Sequence, residues 1–148
     1  MKEVIPIGSD HAGFGLKQRL KQELTALGYE PLDVGTDSAE STDYPDYAHS
    51  VAALVEQGRA GRGVLLCGTG LGMAYAANRH RGVRAAVAWT PEIAALSRAH
   101  NDANVLVVPA RFVSEELGLQ ILRAWLMTQF EGGRHARRVE KIETESDS

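Results

Sequence analysis

Short apolar runs that alternate with amphipathic helical stretches predict an α/β protein, a three-layer α/β/α, Rossmann-like fold with a five-stranded, mainly parallel sheet. Three observations carry this expectation. Five apolar runs recur, each separated from the next by helical pattern. Val105-Leu106-Val107-Val108 is apolar throughout, as a strand covered on both faces must be. The central run, Val64-Leu65-Leu66-Cys67, breaks into Gly68-Thr69-Gly70-Leu71-Gly72 and then enters helix-forming Met73-Ala74-Tyr75-Ala76-Ala77-Asn78. Strand, glycine turn and helix in that order build an anion site from backbone N–H groups.

The elements follow in order. Residues 4–7 form a short strand, and Pro6 hints at a sheet edge or a distortion. Ser9-Asp10-His11-Ala12-Gly13 leads into a helix with Leu16, Leu20, Leu24 and Leu27 on one face, stopped by Gly28. Residues 31–34 are a second strand, and 35–46 a polar loop. Tyr47, Val51, Leu54 and Val55 mark the next helix, which ends near Gly58. After the Cys67 unit, residues 83–89 are a fourth strand. Thr90-Pro91-Glu92 starts a helix, with Thr90 as N-cap, and that helix ends at His100-Asn101-Asp102. The strand over 105–108 is followed by a long helix over 114–130, with Leu117, Ile121, Leu122, Trp125 and Leu126 on its apolar face. Gly132-Gly133 breaks it before a basic segment from Arg134. Residues 143–148 read as a frayed tail.

With 148 residues the chain suffices for one domain, 1–148, and its 44% hydrophobic content is that of a globular protein. A net charge of −3 provides no field to recruit nucleic acid or an anionic membrane. One cysteine makes no internal disulfide, which fits a reducing compartment. No run spans a membrane and the N-terminus reads as a strand, so a cytoplasmic protein is expected.

Spacing excludes several chemistries at the glycine turn. A P-loop needs a Lys after its last glycine, and a dinucleotide fingerprint needs glycine where Met73 stands. A cysteine phosphatase loop needs Arg at that same position. Cys67 therefore moves a proton or attacks a carbonyl, and the helix dipole favours its thiolate. Ligands in open parallel sheets bind beyond the carboxyl ends of the strands. That rule gathers Asp10, His11, Cys67, Gly68, Thr69 and Gly70 into one crevice, whereas the place of His100 and Asn101 does not follow from it. Asp10 also reads as a plain N-cap, and His100-Asn101 as an ordinary polar helix end. Arg134, Arg138 and Lys141 fall on one helical face that, alone, reads as solvated. No spacing suggests metal ligands or a cofactor.

Taken together, Ser9-Asp10-His11-Ala12-Gly13, Thr42-Asp43-Tyr44-Pro45, Cys67-Gly68-Thr69-Gly70-Leu71-Gly72, His100-Asn101-Asp102 and Glu131-Gly132-Gly133-Arg134-His135 resemble type B ribose-5-phosphate isomerase, a family grouped with galactose-6-phosphate isomerase. The resemblance covers nearly the whole chain. It implies a metal-free aldose–ketose isomerase of sugar phosphates that works through an enediolate, with Cys67 as base at carbon 2. It implies that Thr69 and the loop Gly68, Gly70, Leu71 and Gly72 stabilise the enediolate oxygen, and that His100, beside Asn101, opens the furanose ring. Asp10 and His11 match substrate-contacting residues, and Arg111, Arg134 and Arg138 match residues that bind phosphate or substrate. It also implies a homodimer whose basic residues reach the partner's site. Tyr75 and Trp89 have no role by resemblance and bear on sugar length. A six-carbon sugar phosphate, allose or galactose 6-phosphate, is the alternative substrate. A non-catalytic sugar-phosphate binding module is the alternative class.

Overall fold

Residues 1–144 are described by the structure, a computed structural model. Five strands, β1 (Val4–Ser9), β2 (Glu30–Asp33), β3 (Gly63–Cys67), β4 (Ala85–Val87) and β5 (Val105–Pro109), form one sheet in the order β2-β1-β3-β5-β4. All four pairings are parallel. The helices are α1 (Phe14–Ala26), α2 (Tyr44–Glu56), α3 (Leu71–Ala77), α4 (Pro91–Ala99), α5 (Glu115–Met127) and α6 (Arg134–Glu140). A 3-10 turn over His11–Gly13 joins β1 to α1.

Strand alternation divides the apolar residues between the two faces. Ile5, Ile7, Val64, Leu66, Leu106 and Val108 pack with α1 and α5, around a fully buried Trp125. Leu65, Cys67, Val105 and Val107 pack with α2 and α3. β3 and β5 are buried at every position, so near-continuous apolar sequence is what their place in the sheet requires. The edge strands β2 and β4 are only partly covered.

Several boundaries differ from the sequence expectation, each for a local reason. β1 is internal, although Pro6 suggested an edge. Its odd-numbered residues bond to the β2 side, through Val34 N–H to Ile7 O and Ser9 N–H to Gly35 O. Its even-numbered residues face β3, where the ladder starts only at Ile7 opposite Val64, so the missing Pro6 N–H costs no ladder bond. β4 covers three residues rather than seven. At its start Arg84 N–H donates to Asn104 Oδ1, Arg84 O accepts from the backbone N–H groups of Asn104 and Val105, and Ala85 N–H donates to Asn78 Oδ1. α2 starts at Tyr44, inside the expected loop, with Pro45 in its first turn. α5 stops at Met127, because Thr128 is extended (ψ 133°). Glu143, expected in the tail, is held by Gly82 N–H at 2.6 Å. Residues 145–148 of that tail lie outside the described residues.

The order of the strands fixes where a ligand sits. From β1 the chain moves out to β2, then crosses to β3 on the other side. The switch point is therefore the carboxyl end of β1 against that of β3. Each helix that follows a strand returns toward the amino ends. β5, with five residues, is about 16 Å long at the usual rise. A residue at the C-terminus of α4 is thus carried about that far from the crevice.

Candidate active site

At the switch point the chain leaves β1 through Asp10 and leaves β3 through Cys67. Asp10 is buried, and its Oδ1 accepts from the N–H groups of Ala12 (3.0 Å) and Gly13 (3.2 Å). Asp10 N–H donates to Leu66 O at 3.3 Å, which ties the two strand ends together. The carboxylate thus does the capping work that fixes the turn bearing His11. Thr42 N–H donates to His11 Nδ1 at 3.2 Å.

Cys67 is the last residue of β3 and 4% exposed, opposite Pro109 of β5 in the register. Ala110 N–H donates to Cys67 O (2.8 Å) and Arg111 N–H to Gly68 O (3.0 Å), so the β5 exit is stitched to the glycine turn. The Arg111 side chain crosses Gly68 so closely that a Cβ there would lie 3.2 Å from both its Cδ and Nη1. Thr69 Oγ1 accepts from Leu71 N–H at 3.2 Å. Gly70 has φ 81°, in the left-handed region, and is the N-cap of α3 without contributing a side-chain bond. Gly72 lies under the Tyr44 ring, where a Cβ would come within 2.4 Å of Cε1 and Cζ. The glycines are thus required by backbone conformation, by Arg111 and by Tyr44, which is more than a tight turn needs.

Beside Thr69 lies a mainly apolar hollow of about 450 Å³, lined by Leu71, Val87, Trp89, Pro109 and Phe112. Trp89 is 54% exposed, and Tyr75 is also exposed, on the outer face of α3. Tyr44 and Thr42 are site residues that the sequence reading gave no role. The signal for both was their place in the Thr42-Asp43-Tyr44-Pro45 run. Ser9 and Thr42 each keep a buried hydroxyl with no hydrogen-bond partner among the described residues.

The remaining expected residues are elsewhere. His100 and Asn101 follow α4 at the amino ends of the strands. There Ala103 N–H donates to Ser97 O, and Asn104 O receives Gly63 N–H from the start of β3. The His100 ring stacks on His135 of α6 with centroids 4.3 Å apart, and Glu131 N–H donates to Ala99 O. Arg134 and Arg138 lie on the same α6. Asn101 lines a second hollow of about 470 Å³ with Asn78, Arg84, Ser97 and Ile142. One chain therefore presents two groups at opposite ends of the sheet. Asp10, His11, Cys67, Gly68, Thr69, Gly70, Leu71, Gly72 and Arg111 form one group. His100, Asn101, Arg134 and Arg138 form the other. The sequence also showed no metal-ligand spacing, yet folding brings one nitrogen each of His100 and His135 and a Glu131 oxygen within 4.8 Å of one another.

Residues 5–142 match the model of the Ribose/Galactose Isomerase family. Ribose-5-phosphate isomerase B of Escherichia coli is 50% identical over 138 residues, 93% of each chain. A ribose 5-phosphate isomerase of known structure from Thermotoga maritima superposes with TM-score 0.92 at 51% identity, covering 96% of this chain and 98% of that one. Ribose-5-phosphate isomerase B from Mycoplasma genitalium, solved with bound ribulose-5-phosphate, superposes equally well (TM-score 0.92) at 40% identity, covering 96% and 95%. No described helix is long and apolar enough to cross a membrane. On sequence along nearly its whole length and on fold, this chain belongs to the Ribose/Galactose Isomerase family.

Proposed function

We propose that this protein interconverts ribose 5-phosphate and ribulose 5-phosphate, with Cys67 as the base. The observation that carries the reading is the buried thiol at the switch point, set beside Thr69, the glycine turn and Arg111. A relative that shares the fold at 40% identity holds ribulose-5-phosphate. The Cys67 thiolate takes the proton from carbon 2 of the open-chain aldose. The electron pair moves into the C1–C2 bond, and the carbonyl oxygen becomes the enediolate oxygen. Thr69 and the N–H groups of the glycine turn stabilise that charge, each well-aimed donor worth about 3–4 kcal/mol. The thiol returns its proton to carbon 1 while the O2 proton passes to O1, which gives the ketose and restores the thiolate. Arg111 binds the phosphate end, which supplies remote binding energy to hold carbon 2 against the sulfur.

The opposite placement of His100, Asn101, Arg134 and Arg138 supports a homodimer with shared sites. Each site takes the Cys67 group from one subunit and the His100 group from the other, and two-fold symmetry makes the exchange reciprocal. His100 opens the furanose ring, with Asn101 beside it, and Arg134 and Arg138 close on the phosphate. The hollow at Trp89 favours a second reading in which a six-carbon sugar phosphate is also taken. The work is placed in the cytoplasm, where a lone working thiol stays reduced.

Isomerisation of a panel of five- and six-carbon phosphates by wild type and Cys67→Ala tests this. Ribose 5-phosphate should turn over fastest. Cys67→Ala should be inactive with an unchanged circular dichroism spectrum. Substantial turnover by Cys67→Ala would refute the base assignment.

A further inference from the structure

We propose that His100, Glu131 and His135 form a site for a divalent transition-metal ion of the zinc class, and that its occupation blocks His100. The site itself stands on geometry alone. The blockade rests on the ring-opening role given to His100 above.

The two ring nitrogens approach the same carboxylate oxygen: His100 Nε2 lies 3.8 Å and His135 Nε2 3.6 Å from Glu131 Oε1. Those spacings are too long for hydrogen bonds. Neither ring has a hydrogen-bond partner among the described residues, although His135 is buried. They are close to what a shared ion requires, since tetrahedral bonds of about 2.0–2.1 Å set ligand atoms about 3.3 Å apart. A second histidine cluster shows the contrast. There His49 Nδ1 and His80 Nε2 meet at 2.8 Å, and His80 Nδ1 and Glu56 Oε1 at 2.9 Å, so its polar atoms satisfy one another directly.

The donor set, two imidazoles and one carboxylate, suits zinc-class ions over magnesium or calcium, and leaves a position for water. Closing the site needs two side chains to move. The rings stack with planes 13° apart, so their lone pairs run side by side rather than converge. His135 is held on α6 with its side chain 11% exposed, whereas His100, at a helix end, is 40% exposed and can turn. Glu131, between α5 and α6, is more exposed still and can follow. A metal-bound His100 has lost its lone pair to the ion, so it no longer accepts or delivers a proton. The ion is thus an inhibitor and not a cofactor, in keeping with the metal-free reaction that the family resemblance implies.

The test uses the full-length protein with cobalt(II) as a visible probe and zinc as the competitor. Cys67→Ser is the necessary control, because Cys67 is the sequence's one thiol. Wild type and Cys67→Ser should develop the intense visible absorption of low-coordinate cobalt, displaced by zinc. His135→Gln should lose it, and exposed Glu131→Gln should weaken binding by at least tenfold or so, the loss that ligand-supporting residues alone produce. Binding that is unchanged in His135→Gln and Glu131→Gln, or lost in Cys67→Ser, would overturn the site. Zinc should slow turnover of the cyclic sugar phosphate, and EDTA should restore it. Metal binding through the triad without such inhibition would refute the blockade. His100→Ala then shows which premise failed. If it still harms the cyclic substrate selectively, the ring-opening role stands and only the blockade falls.

Discussion

Mixing two inactive variants separates a shared active site from a site built within one chain. Cys67→Ala removes the proposed base and Arg138→Ala a proposed phosphate ligand, and the two positions lie in different groups at opposite ends of the sheet. β5 alone spans about 16 Å between those ends, more than any side chain bridges. If a second subunit supplies the missing group, one site of a mixed dimer inherits both defects and the other neither. Random pairing makes half of the dimers mixed, and half of their sites are intact, so activity should return to about a quarter of wild type. The variants are unfolded together, refolded, and assayed for isomerisation against each protein treated alone. Cys67→Ala with Arg111→Ala is the control, because both residues sit on the same end and mixing should recover nothing. No recovery for Cys67 with Arg138, with mixed dimers demonstrated, would refute the shared site. Recovery in the Arg111 control would refute the division of residues drawn here.

His100→Ala should be far more harmful with the cyclic sugar phosphate than with an open-chain form, and equal losses on both would give His100 another role. Gly72→Ala pushes a methyl into the Tyr44 ring and should cost roughly 1–3 kcal/mol in urea unfolding, as overpacking does, with Tyr44→Ala in the same chain recovering part of it. A null effect would mean that the ring moves aside freely. Asp33→Asn should destabilise by about 3 kcal/mol, because Lys17 is fully buried and loses its carboxylate counter-charge, keeping only neutral acceptors such as Thr36 O. Burial raises the Asp33 carboxyl, but hydrogen bonds from Lys17, Lys21 and Gly35 N–H outweigh it and hold the group below its ordinary value. Its contribution is therefore present above the unfolded carboxylate value of about 3.9 and lost as pH falls through the folded value. Stability curves for wild type and Asp33→Asn should converge in acid, and parallel curves would refute the assignment.

The parts of the site that are contiguous in sequence were legible, because local chemistry dictates them. A strand that ends in cysteine and alternate glycines has few other uses, and the structure places it at the switch point. Chain direction was legible too. A helix that leaves the carboxyl end of β4 must deliver its own end, His100, to the amino ends of the strands. The sequence reading left that residue unplaced, and the structure puts it where the path of the helix requires. What periodicity could not show was where apolar runs stop being strand. Residues 83–89 look uniform, yet only Ala85–Val87 pair in register with β5, and just before them Arg84 N–H turns to the Asn104 side chain. Contacts between distant segments carried no signal at all. His100 meets His135 only because Thr128 ends α5 and returns the chain past Ala99.

That return also bears on how the division of the site is maintained. Arg98 Nε donates to Thr128 O (3.2 Å) and its Nη1 to Ala103 O (2.7 Å), so one guanidinium fastens the end of α4, the exit of α5 and the entry to β5. The same group lies 5.8 Å from the Trp125 ring centroid, with Arg62 on that ring at 5.5 Å. His100, Glu131 and His135 therefore sit on a corner that the core itself fixes. The Cys67 group sits on turns fixed by Asp10, Gly70 and the Arg111 crossing. The backbone of each half is set within its own chain, so in the proposed dimer docking of a second subunit brings the two together without refolding either half. Effects that loosen one corner should then change activity without moving the other half of the site.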